Sequence, residues 1–264
     1  MTKLNFTDYT FIVPFHYDIP DRLENINLSL DYLYNHVNTT IYVKEMGESR
    51  NFEYDRHSDK NRLVYEYANE PFSKTNLINS MVRNIETDFF SIHDTDVFLS
   101  TEQYKEVLKM FTLDNLDCIV PYNGLYSEIP RTSIPNLSNI KDIVNVDGDC
   151  SPRFLEKEYK GTGCCNFFRR DTFNEIGGMN EMFTKWGYED DEVVYRIFGT
   201  GHNAIWLNNK GPIHHLSHGH SKGGFGFEHT HSNAKKQEKE YLKVKTLNLY
   251  NLVEYIKTWT KKGA

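Results

Sequence analysis

Short apolar runs alternate with helix-period segments through the first half of this chain, and that alternation restricts the fold more than any other feature. Thr10-Phe11-Ile12-Val13-Pro14-Phe15 is a continuous apolar run of the kind buried on both faces in a parallel sheet. Asp18 and Pro20 then open a segment whose Leu23, Ile26, Leu30 and Leu33 share one helical face. Thr40-Ile41-Tyr42-Val43 reads as a second strand. After a polar, charged stretch, Leu77, Ile78, Met81, Val82 and Ile85 mark a second helix. Phe89-Phe90-Ser91-Ile92-His93 is the next strand. Ser100 and Gln103 form a capping box ahead of Tyr104, Val107, Leu108 and Phe111, and Cys118-Ile119-Val120-Pro121 reads as a further strand. The pattern predicts an α/β chain with a mostly parallel central sheet flanked by helices. Ligands of such sheets bind beyond the carboxyl ends of the strands. Asp94-Thr95-Asp96 stands at one of those ends.

From about residue 122 to residue 160 the pattern weakens into a long Pro- and Asn-containing stretch, and loops of that length are usually functional or disordered. The second half resumes at Cys164 to Phe168 and ends in two amphipathic helical stretches after residue 232. The expected organisation is one fold unit in three parts: residues 1–150, residues 151–235 and a helical extension, residues 236–264. Length and an ordinary apolar share support a sizeable core. The net charge of −7 argues against a nucleic-acid partner. Met1 to Phe6 lack a basic-then-apolar leader pattern, and no run approaches the roughly 20 apolar residues of a membrane span. Peripheral membrane contact stays open. Cys118, Cys150, Cys164 and Cys165 have no C-x-x-C spacing and read as free thiols, which places the chain in the cytoplasm by expectation.

Three segments carry chemistry. Two carboxylates in Asp94-Thr95-Asp96 suit a hard divalent cation, which neutralises a diphosphate. The bland alternative is an acidic turn capping the next helix. Trp186-Gly187-Tyr188-Glu189-Asp190-Asp191-Glu192 puts four consecutive carboxylates ahead of the apolar helical face Val193, Val194, Ile197 and Phe198. Acidic residues in a first turn are favoured by the helix dipole, but a Trp beside them equips a site to stack a sugar and deprotonate its hydroxyl. His214, His215, His218 and His220 crowd into Pro212 to His220, and imidazole with carboxylate suits Mn²⁺ better than Mg²⁺. The run Ser221-Lys222-Gly223-Gly224-Phe225-Gly226-Phe227 follows, either a plain surface loop or a moving lid.

In this order the segments resemble the β-1,4-galactosyltransferase-like families of the GT-A fold, including their N-acetylgalactosaminyltransferase and bacterial polysaccharide-synthase relatives, from about residue 10 to residue 235. The resemblance implies a uridine-nucleotide contact from Pro14, Phe15 and His16, with His16 standing where the family has Arg. It implies a second from Phe72 and Lys74, beside Asp94. Asp94-Thr95-Asp96 is similar to the family's Asp-Val-Asp, which makes Asp96 the direct metal ligand. His215 and His218 fall on its Met-x-x-His metal pair. Trp186-Gly187-Tyr188-Glu189-Asp190-Asp191 resembles Trp-Gly-Gly-Glu-Asp-Asp, so Asp190 inherits the role of catalytic base, with Glu189 beside it. Trp186, Gly187, Tyr188 and Gly163 would then face sugar or acceptor. Gly177-Gly178-Met179 resembles a donor-side turn, and Gly161 falls where galactosyltransferases carry a bulky Tyr, which implies room for an N-acetyl group.

The expectation is an inverting, metal-dependent transfer of a hexose or N-acetylhexosamine of the galactose, N-acetylgalactosamine or glucose type. The donor is a UDP-sugar and the acceptor a hydroxyl, expected on a glycan in polysaccharide biosynthesis, with Mn²⁺ as cofactor and Mg²⁺ second. Two rivals are a metal-dependent hydrolase using the His/Asp cluster and a non-catalytic sugar-binding module. Hydrolases need a metal-bound water, and no H-E-x-x-H spacing is present.

Overall fold

The computed structural model describes residues 3–56, 62–113, 115–133, 149–151, 161–184, 187–219 and 231–260. Along the chain lie β1 (Leu4–Phe15), α1 (Pro20–His36), β2 (Val37–Met46), β3 (Leu63–Ala68), α2 (Lys74–Val82) and β4 (Phe89–His93). Then follow β5 (Val97–Phe98), α3 (Thr101–Leu113), β6 (Cys118–Val120), β7 (Tyr126–Ile129), β8 (Asp149–Ser151), β9 (Cys165–Arg169) and α4 (Arg170–Glu175). The last elements are α5 (Glu189–Gly199), β10 (Ala204–Trp206), β11 (Ile213–Leu216), α6 (His231–Lys245) and α7 (Leu249–Thr260).

A seven-stranded sheet runs in the order β10-β6-β9-β4-β1-β2-β3. It is parallel except at β9, which is antiparallel to both β4 and β6. The strand order moves outward from β1 through β2 to β3, then restarts on the other side with β4. The crevice between the carboxyl ends of β1 and β4 is therefore a topological switch point, where ligands of such sheets bind. A second, four-stranded sheet, β5-β11-β7-β8, stands beside that end.

The expected elements form, and burial explains their extents. Pro20 begins α1, where its missing N–H costs nothing. The capping box is reciprocal: Ser100 N donates to Gln103 Oε1 at 2.7 Å, and Gln103 N to Ser100 Oγ at 3.3 Å. β1 starts earlier than its apolar run because Leu4 and Asn5 pair with β2 before a register shift. That extension carries Phe6, fully buried against Tyr9, Phe11 and Tyr104. One contiguous core joins both halves, with Phe11 and Phe167 5.5 Å apart.

Three expectations change. The polar stretch before α2 holds a strand, β3. As the sheet's edge it buries little beyond Leu63, so its apolar signal is weak. Phe198 is not on the buried face of α5; it is 45% exposed and stacked on Trp206 at 6.1 Å. The histidine run is partly strand: Ile213 to Leu216 form β11, all four buried. Cys118, Cys164 and Cys165 are buried free thiols, as expected. Among the described residues, no helix is long and apolar enough to cross a membrane.

Candidate active site

Two clusters meet at the carboxyl end of β4. The first is built by β5 and β11. Their antiparallel pairing sets His215 opposite Val97, and Leu216 N donates to Asp96 O at 2.7 Å. This brings Asp96 and His215, 119 positions apart in the chain, onto one wall. Asp96, His215 and His218 each offer a ligand atom within 4.8 Å of the others. His215 Nε2 lies 3.7 Å from Asp96 Oδ1, and His218 Nε2 lies 3.4 Å from Asp96 Oδ2. The opposite ring nitrogens are held from behind: His215 Nδ1 is 2.9 Å from Glu128 Oε2, and His218 Nδ1 is 2.8 Å from Gly219 O. Such outer contacts fix the orientation of metal-binding imidazoles. Burial, aided by the Arg22 charge, pushes the His218 imidazole below its ordinary range, which favours the neutral form that ligates. The donor set of one carboxylate and two imidazoles fits a divalent transition ion such as Mn²⁺.

The second cluster joins α2, β4 and α5. Lys74 Nζ lies 3.2 Å from Asp94 Oδ1, 3.4 Å from Asp190 Oδ2 and 3.8 Å from Glu189 Oε1. Against the opposing pull of burial, Asp190, Asp94 and Glu189 hold the Lys74 ammonium well above its ordinary range. Glu189 is buried and accepts from Gly187 N at 2.7 Å. Burial first, then the Asp190 charge, push its carboxyl up to about 7, against the lowering effect of Lys74. Asp190 is more open, and Gly163 faces it closely: a Cβ at 163 would fall 2.5 Å from Asp190 Oδ2. The turn into α5 has Gly187 at φ 111° and Tyr188 at φ 66°, a left-handed entry that aims the first-turn carboxylates inward. Tyr188 stacks on Tyr241 of α6 at 5.3 Å.

At the end of β1, His16 stacks on Phe72 at 4.5 Å and 14°, and its Nδ1 lies 2.9 Å from Met46 O. Each ring therefore covers one face of the other. Pro14 and Phe15 are buried within β1, and the Phe15 ring packs on Phe52 at 6.1 Å. Of that trio, Pro14 and Phe15 are buried and His16, at the end of β1, is half-buried. Gly161 packs closely on Tyr126: a Cβ there would meet Tyr126 Cε2 at 2.6 Å. Trp186, His220 and the run 221–227 lie outside the described residues.

Several residues at the site carried no sequence signal. Arg22, in the first turn of α1, forms an ion pair with Asp96. Asp21 Oδ2 accepts from Gly219 N at 2.9 Å, beside His218. Thr162 donates to Asp191, whose carboxyl burial pushes up to about 7 while Lys245 pulls it down.

Residues 149–219 match a family model described as the N-terminal domain of galactosyltransferase. A comparison with the curated proteins finds no match. Among solved structures, residues 1–349 of S. aureus TarS in complex with UDP-GlcNAc are similar at TM-score 0.63 and 11% identity, over 92% of this chain and 69% of that one. The mannosyltransferase PcManGT of Pyrobaculum calidifontis, in complex with GDP-Man and Mn²⁺, is similar at TM-score 0.56 and 13% identity, over 97% and 70% of the two chains. The catalytic domain of Drosophila β1,4-galactosyltransferase 7, in complex with xylobiose, is similar at TM-score 0.54 and 16% identity, over 94% and 84%. These likenesses show the fold, which is that of the GT-A glycosyltransferases. The matched galactosyltransferase segment spans Asp190, His215 and His218, so it falls on the same part of that fold as both side-chain clusters.

Proposed function

We propose that the protein transfers a hexose or N-acetylhexosamine from a UDP-sugar to a hydroxyl of a glycan acceptor, with inversion at the anomeric carbon. The observation that carries this reading is the Lys74 bridge. It sets Asp190, at the start of α5, across the crevice from Asp94, at the end of β4. Donor-side and acceptor-side groups thus share one cleft.

Asp96, His215 and His218 would hold Mn²⁺ or Mg²⁺, which supplies positive charge to the leaving diphosphate. Two of the similar structures, bound to UDP-GlcNAc and to GDP-Man, support a nucleotide-sugar donor, and the second of these an Mn²⁺ site. The outer face of the His16–Phe72 stack suits a nucleotide base, which would extend the stack by one ring. Lys74 places an ammonium where negative charge gathers. Asp190 accepts the acceptor hydroxyl's proton as its oxygen attacks the anomeric carbon, while the bond from that carbon to the UDP oxygen breaks. Glu189, held by Gly187 N, fixes the turn that orients Asp190.

The test is transfer from a panel of UDP-sugars with Mn²⁺. Activity should vanish in EDTA and return with Mn²⁺. Asp190→Asn should lower kcat by about 10²-fold or more, the low end of general-base contributions, with UDP affinity retained. Parallel collapse of UDP affinity and rate would make Asp190 structural, and full activity in EDTA would remove the metal. Release of sugar at the same rate without acceptor would favour a hydrolase.

A further inference from the structure

Asp96 is a carboxylate only 3% exposed, and it already faces a cation. Arg22 Nη1 donates to Asp96 Oδ2, the same oxygen that His218 Nε2 faces at 3.4 Å. A buried carboxylate without a countercharge is costly, so the pair satisfies Asp96 when no ion is bound. The arrangement also conflicts with ion binding. A divalent ion shared by Asp96, His215 and His218 and a guanidinium on the same carboxylate are like charges at close range. Arg22 has somewhere else to go. Its Nε lies 3.6 Å from Asp18 Oδ1, on the chain just before α1, and the Arg22 side chain is 26% exposed against 4% for Asp96. Rotation of the arginine side chain alone transfers its charge from one carboxylate to the other.

We propose that Arg22 is the resident cation of the metal site, competing with the divalent ion for Asp96 and yielding to it by moving onto Asp18. The inference rests on the reading of Asp96, His215 and His218 as metal ligands. It makes α1 a positioning element for the site. The same first turn supplies Asp21, which accepts from Gly219 N at 2.9 Å and pairs with Arg131 at 3.7 Å. Arg131 Nη1 in turn donates to Ser217 O at 3.3 Å, so the turn grips the chain on both sides of His218. Exchange of Arg22 for the ion therefore occurs on a platform already attached to a ligand. The free enzyme keeps its carboxylate neutralised, and part of the ion's binding energy goes into displacing Arg22.

The test compares wild type with Arg22→Met and Asp18→Asn by calorimetric titration of Mn²⁺ alone, and by thermal unfolding with EDTA and with saturating Mn²⁺. Arg22→Met removes the competitor. It should bind Mn²⁺ about tenfold or more tightly, the scale of one hydrogen bond to a charged group. It should also melt lower than wild type in EDTA, with the gap closing in Mn²⁺. Asp18→Asn removes the refuge and should weaken Mn²⁺ binding without loosening the metal-free pair. This second variant keeps the proposal testable if Arg22→Met fails to fold. Mn²⁺ affinity equal to or weaker than wild type in Arg22→Met, or unchanged in Asp18→Asn, overturns the competition while leaving the metal site standing. No Mn²⁺ binding by wild type, with none gained by Arg22→Met, overturns the metal reading itself.

Discussion

Glu189 and Asp190 are neighbours in sequence with different surroundings, and the difference sorts their roles. Asp190 opens to the crevice opposite Gly163, whereas Glu189 turns inward onto Gly187 N. Burial and the Asp190 charge push Glu189 up to about 7, and burial pushes Asp191 to about 7. Both folded values lie above the ordinary carboxylate range. The native protein therefore keeps protons that the unfolded chain releases. This contribution to stability is full below the ordinary range and is lost as pH rises through about 7. Unfolding free energy from urea titrations should fall between about pH 5 and pH 8. Glu189→Gln, whose amide oxygen can still accept from Gly187 N, should flatten that fall by on the order of 2 kcal/mol, with Asp191 supplying the remainder. Equal slopes in the two proteins would show that Glu189 does not titrate across this window.

At the scale of elements, α5 is the part on which the acidic cluster depends, and a buried arginine fixes its position. Arg196 is fully buried; its Nε donates to Glu192 Oε1 at 2.7 Å, its Nη2 to Gly178 O at 2.7 Å and its Nη1 to Ile176 O. Its guanidinium also lies 5.2 Å from the centre of the Trp259 ring of α7, and Trp259 Nε1 donates to Gly177 O at 3.2 Å. One cation thus ties α5 to the turn after α4 and to the C-terminal helix. Arg196→Met keeps much of the apolar stem but leaves the buried Glu192 without its countercharge, with Asn180 Nδ2 still at 3.3 Å from Oε1. Breaking a buried pair in this way costs about 3–5 kcal/mol. Urea denaturation should show a loss of that size. A loss below about 1 kcal/mol would mean that Glu192 is satisfied without Arg196.

The molecule as a whole gathers its ligand groups from both sheets. A ligand that binds only this assembled state stabilises the fold as a unit. At a concentration near 100 times its Kd, a ligand adds about 2.7 kcal/mol, which for a chain of this size raises Tm by roughly 5–10 °C. Mn²⁺ with a UDP-sugar should produce a shift of that order in scanning calorimetry, and Asp96→Ala should remove the metal-dependent part. An equal shift in Asp96→Ala would place the ion elsewhere.

The sequence alone determined what local periodicity and short motifs encode. The alternation of buried strands with amphipathic helices specified the parallel sheet, because burying two faces of a strand and one face of a helix leaves a repeating mark. Asp94, Asp96, Asp190, His215 and His218 could be nominated as candidates from the sequence because metal ligands and bases come from few residue types, here clustered in short segments. β3 was not legible, since an edge strand buries too little to show a period. Nor was Tyr126 beside Gly161, because that contact does not depend on near neighbours in the chain. Arg22 is the sharpest case. In sequence it is an ordinary i,i+4 partner of Asp18, and only the approach of α1 to the end of β4 sets it against Asp96, 74 positions away. Local propensity fixes elements over a few residues. Charge pairing across a crevice is decided by how those elements pack, and that information exists only in the folded chain.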